Sequence, residues 1–137
     1  MQYAVDAVHQ RGLEFVVTAG LHTVTTDYPL QPHEEGVGPR PLEMLLGSLA
    51  SCAGGSMVAL LRRAGQHLAG LQVVARGERR SEHPTVFTEI SLEFVVRGSV
   101  DAAAVRKAVE QSEALICPVW AMLKAGTLIT SSFRIEP

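Results

Sequence analysis

Three short runs near the amino terminus, Tyr3 to Val8, Leu13 to Thr18 and Leu21 to Thr26, are rich in Val, Thr and aromatics. Gly12 and the Ala19-Gly20 pair separate them, which predicts a three-stranded antiparallel meander. From Pro29 to Pro41 the pattern vanishes: four prolines and two glycines fall in this stretch, so regular pairing is excluded and a long loop is expected. Loops of this length in small domains commonly cover or line a site.

Pro41 suits the first helical position, and Glu43 sits favourably near the positive end of the helix dipole. Leu42, Leu45, Leu46, Leu49, Ala53, Met57 and Leu60 then recur at helical spacing. The predicted helix runs to about Ala64, stops at Gly65 and is roughly 36 Å long. Its other face is also apolar or small, so it is expected at the centre of the fold, covered on nearly every side. Leu71 to Arg79 and Val86 to Val96 read as two strands of a hairpin turning across Ser81 to Pro84, the second alternating Ile90, Leu92 and Phe94 with Glu89, Ser91 and Glu93. Asp101 is placed to cap a helix that presents Val105, Ala108 and Val109 on one face and ends near Ile116. Pro118 breaks it or begins a new piece to Lys124, and Thr127 to Ile135 closes the chain as a strand.

The chain of 137 residues fits one domain, 1–137, and 47% hydrophobic residues supply a core. A net charge of -2 leaves no electrostatic footprint for nucleic acid or an anionic membrane. Met44 to Leu61 carries no charge and reaches the lower length limit for a membrane span. Its glycines and serines dilute its hydrophobicity, which favours a buried helix. The first ten residues lack a basic-then-apolar leader pattern, so a cytoplasmic location is expected.

Two cysteines, far apart in the chain, exclude a secreted disulfide framework and a four-cysteine zinc site within one chain; no metal or resident cofactor is expected. Core packing or redox chemistry remains. Cys117 precedes Pro118, so its thiol stands at a helix start, where backbone N–H groups and the dipole favour a thiolate. It also suits a simple core position, since free cysteine is often buried. Cys52 lies in the long helix about two and a half turns beyond Glu43, so those two side chains point to opposite faces. Beside Gly54 and Gly55 it also fits a close helix crossing. Two adjacent glycines inside a helix cost about 1 kcal/mol each relative to Ala, so packing or a site is expected to need the missing side chains. The five histidines show no metal-ligand spacing and are expected on the surface.

The ordered set Gly38-Pro39-Arg40-Pro41-Leu42-Glu43-Met44-Leu45-Leu46, Leu49-Ala50-Ser51-Cys52, His83-Pro84 before Phe87-Thr88-Glu89-Ile90, and Ile116-Cys117-Pro118-Val119 resembles the OsmC/Ohr family from about Gly12 to the end. The resemblance implies an α+β, OsmC-like fold, with antiparallel sheets packed around two long central helices in an intertwined homodimer. It implies reduction of a small organic hydroperoxide: Cys52 attacks and becomes a sulfenic acid, Cys117 resolves it as a disulfide, and an external, lipoyl-like dithiol reduces the pair. The disulfide would require Cα atoms within about 7 Å. The alternative is a non-catalytic relative that binds a small apolar ligand at the dimer interface. Glu43 stands one position later than the family's helix-start carboxylate, turned by about 100°. Arg11 and Arg40 are the candidate arginines that would favour the thiolate. Helix-start electrostatics make Cys117 the more acidic thiol, whereas the resemblance assigns the attack to Cys52.

Overall fold

The computed structural model describes residues 1–137, and the chain divides into two compact units, Met1–Leu45 and Leu46–Pro137. In the first unit, β1 (Asp6–His9), β2 (Phe15–Ala19) and β3 (His22–Thr26) form the expected antiparallel meander, in the order β1-β2-β3. The following loop is held by one side chain. Asp27 accepts from the Tyr28 N–H at 2.8 Å and from the Val37 N–H at 3.1 Å, and its own N–H donates to the Pro39 carbonyl at 3.1 Å. A prolyl loop has few backbone donors of its own, so one carboxylate bridging both ends fixes its path. Loop and β1–β2 turn together line an open groove of about 510 Å³.

The helix α1 (Pro41–Arg63) begins in the first unit and continues into the second. It ends as its sequence requires: Gly65 takes a positive φ of 74°, which a residue with Cβ rarely adopts. In the second unit β4 (His67–Arg79) and β5 (Phe87–Ser99) pair antiparallel. The chain then passes through α2 (Ala102–Gln111), a π-helical turn (Ser112–Ile116) and α3 (Pro118–Lys124) to β6 (Leu128–Glu136). The sheet order is β4-β5-β6. Asp101 stands at the start of α2, but its carboxylate accepts from Gln66 instead of capping the helix.

The core of this unit is built from the two periodicities read in the sequence. Leu49, Ala53, Met57 and Leu61 of α1 bury against Ile90, Leu92, Phe94 and Val96 of β5, with Val105, Ala108 and Val109 of α2 in the same cluster. The α1 helix is long and apolar enough to cross a membrane by length and composition, yet this stripe of it packs as a core element.

Two expectations need correction, and one holds. The sheets are not antiparallel throughout: β6 runs parallel to β5, because a helical crossover returns the chain in the same direction. The second helical stretch breaks at Pro118 as expected, because Pro118 lacks the N–H that a continuing helix needs and holds Cys117 in an extended conformation. Finally, α1 is not covered all round within one chain: Gly47, Ser48, Ser51 and Gly55 are exposed. Its uniform apolar character on that side comes from small residues. Of the glycine pair, only Gly54 meets a close neighbour, its absent Cβ lying 3.1 Å from Val73, while Gly55 faces open space.

Candidate functional site

The second unit brings the two thiols together. Cys52, half-buried on α1, and Cys117, fully buried at the head of α3, are free cysteines that lie near enough for Cys52 to raise the Cys117 pKa. Three local devices put Cys117 there. The π-helical turn carries one more residue per turn than an α-helix, and closes with the Cys117 N–H donating to the Ser112 carbonyl at 2.9 Å. Pro118 then sets Cys117 at φ -78° and ψ 106°. In that conformation its sulfur caps α3, accepting from the Trp120 N–H at 3.4 Å. Trp120 itself is fully buried and stacks on Phe94, with ring centroids 6.2 Å apart and planes 21° apart. Lys124 bonds the Glu113 carbonyl at 3.3 Å, tying the far end of α3 to the π-helical turn.

The electrostatics of this position reverse the expectation from its helix start. Burial pushes the Cys117 thiol up to about 11, the neighbouring Cys52 thiol pushes the same way, and the Trp120 and Val119 N–H groups oppose both without winning. Desolvation of a buried thiolate exceeds what two amides and a short helix return. At neutral pH Cys117 is therefore held as the thiol. It is the proton-bearing thiol beside Cys52.

A pH effect on stability follows from the same cause. Folding keeps Cys117 protonated between its ordinary 9.0 and about 11, so its contribution is complete below pH 9 and is lost as pH rises toward 11. Under reducing conditions, urea denaturation should show the parent losing stability more steeply from pH 9 to 11 than Cys117→Ala does. Equal slopes would contradict the raised value.

The remaining candidates lie in the first unit. The Glu43 carboxylate accepts from the Arg40 N–H at 2.9 Å, half of a capping box at the start of α1. The Arg40 guanidinium lies over the Tyr28 ring, 5.1 Å from its centroid. Arg11 is exposed in the β1–β2 turn and pairs with Glu14 at 3.1 Å. The structure thus joins Glu43 to Arg40, Arg40 to Tyr28, and Arg11 to Glu14. All five histidines are exposed, as expected.

Sequence reasoning passed over Trp120 and the Val119 amide. The signal was present in Cys-Pro itself: a proline at the first helical position turns the next two amides onto the preceding side chain.

The OsmC-like protein model matches residues 33–132 and so takes in α1, the β4–β5 hairpin and the Cys117-Pro118 turn. The chain belongs to the OsmC-like protein family. Protein YhfA of Escherichia coli strain K12 is 36% identical over 98 residues, 71% of this chain and 73% of that protein. Among solved structures, an OsmC-like protein from Mycoplasma pneumoniae superposes with a TM-score of 0.89 at 17% identity, over 100% of this chain and 99% of that one. An organic hydroperoxide resistance protein OsmC from Legionella pneumophila superposes with a TM-score of 0.75 at 14% identity, over 97% and 96% of the two chains. At such identities the two structures establish the OsmC-like α+β fold and nothing finer.

Proposed function

We propose that this OsmC-like protein is a thiol peroxidase that reduces organic hydroperoxides in defence against oxidative stress. The observation that carries the reading is the proximity of the free thiols Cys52 and Cys117, of which Cys117 holds its proton. The Cys52 thiolate attacks the terminal peroxide oxygen, the O–O bond breaks, and the alkoxide leaves as alcohol on taking a proton. Cys52 is then a sulfenic acid. The Cys117 sulfur attacks the Cys52 sulfur, giving the disulfide and expelling water with the Cys117 proton. Two electrons from an external, lipoyl-like dithiol restore both thiols. The chain needs no resident metal or cofactor for any of these steps.

The working unit in this reading is a cytoplasmic homodimer. Leu13, Leu21, Val24, Leu30 and Val37 of the first unit and the small face of α1 around Gly47, Ser51 and Gly55 are exposed. Burial of such surface favours a second copy. Sedimentation at micromolar concentration should give a dimer mass; a compact monomer would remove this part of the reading.

A second reading, a non-catalytic protein that binds a small apolar ligand at the dimer interface, is favoured by one observation. The Glu43 carboxylate is engaged in capping α1. Turnover decides between the two. With dihydrolipoamide as reductant, the reduced protein should consume cumene hydroperoxide catalytically and pass through a Cys52–Cys117 disulfide seen by mass spectrometry. Absence of both turnover and disulfide would leave the binding reading.

A further inference from the structure

We propose that the groove between the end of α1, the outer face of α2 and the π-helical turn binds a soluble medium-chain carboxylate. The groove has a volume of about 460 Å³, within the range of small-molecule sites. Its walls are apolar: Leu60 and Ala64 from α1, Ala104 and Ala108 from α2, and Leu115 and Ile116 from the π-helical turn. The extra residue in that turn carries Ser112 inward, where it is fully buried, and leaves Leu115 76% and Ile116 49% exposed. Two large aliphatic side chains are therefore offered to solvent at the groove's edge.

Arg63 and Lys107 are the only charged residues lining the groove. Neither is in an ion pair with the acids of the unit: Glu113 is taken by Lys124 and Glu136 by Arg134. Glu110, one turn beyond Lys107, lines a different groove beside Phe133. A position in the last turn of α1 accounts for Arg63 through the helix dipole. It does not account for Lys107, which stands in the middle of α2. Two cations and the Gln111 amide above an aliphatic floor complement a ligand with an apolar chain and a single anionic head. This site is separate from the surface assigned above to a second copy. At 100° per residue, Leu60, Arg63 and Ala64 point on average about half a turn away from Gly47, Ser51 and Gly55. It does not depend on the peroxidase reading, because no thiol takes part.

The test is calorimetric titration of the reduced parent with decanoate below its micellar concentration. Decyltrimethylammonium and decanol serve as cationic and neutral counterparts. Decanoate should bind saturably at one per chain, more weakly as salt is raised, and at least about tenfold more tightly than either counterpart. The Arg63→Gln/Lys107→Gln double variant, checked for fold by circular dichroism, should lose about tenfold in affinity for decanoate and none for decanol. Absence of saturable decanoate binding would overturn the proposal, as would equal affinity in the double variant or equal binding of the cationic amphiphile. So would a Leu115→Ser variant that turns a dimer into a monomer, since a second copy would then fill the groove. Binding to phosphatidylglycerol vesicles without binding to decanoate would equally overturn it, in favour of a membrane surface.

Discussion

Cys52→Ser is expected to consume cumene hydroperoxide at less than about one hundredth of the parent rate, while Cys117→Ser still reacts once and stops at a sulfenic acid on Cys52. The asymmetry follows from where the protons sit. Burial holds Cys117 up to about 11, so at neutral pH it presents almost no thiolate to a peroxide. Cys52 is the half-buried member of the pair, and in the peroxidase reading it is the one the substrate meets. Loss of a reacting group removes the chemical step itself, and such losses commonly exceed a hundredfold. With substoichiometric hydroperoxide, dimedone should label Cys52 in Cys117→Ser and label nothing in Cys52→Ser. Dimedone on Cys117 in Cys52→Ser, with peroxide consumed at the parent's initial rate, would exchange the two roles.

Much of what places these thiols is legible in the sequence, but unevenly. The alternation of Ile90, Leu92 and Phe94 marks β5, and those residues are buried as the pattern requires. Gly65 ends α1 within a residue or two of the expected place, since its positive φ is a local property. Pairing is different. The parallel return of β6 is decided by the crossover through α2 and α3, and nothing within Leu128–Glu136 encodes it. The π-helical turn at Ser112–Ile116 has no glycine or proline to announce it. The meeting of Cys52 with Cys117 rested on family resemblance, because spacing along the chain carries no information about a contact between α1 and the head of α3. The acidity of Cys117 failed for a related reason: the helix start is written in Cys-Pro, whereas the burial that overrides it is a property of the packed core.

That core residue is Trp120, and its removal is expected to have the largest effect on stability. The indole is fully buried, stacked on Phe94, and belongs to the cluster that holds α1 and β5. Truncation of a buried Trp to Ala costs about 3–5 kcal/mol, because the cavity left behind does not fully collapse. Domains of this size are stable by about 5–15 kcal/mol, so Trp120→Ala should fold but melt on the order of 10 °C lower. Trp120→Phe keeps an aromatic face against Phe94 and should lose less than half as much. The variant also reports on the thiol. The Trp120 N–H that bonds the Cys117 sulfur survives the substitution, but the packing that excludes water from that sulfur does not. With less desolvation, the Cys117 pKa should fall toward 9.0, the value it has without burial. In a Cys52→Ser background at pH 8, Ellman's reagent should therefore react with Cys117 at least about tenfold faster in Trp120→Ala than with Trp120 in place, and Trp120→Phe should stay near the slower rate. Equal rates in all three would mean that something other than this packing holds the thiol protonated.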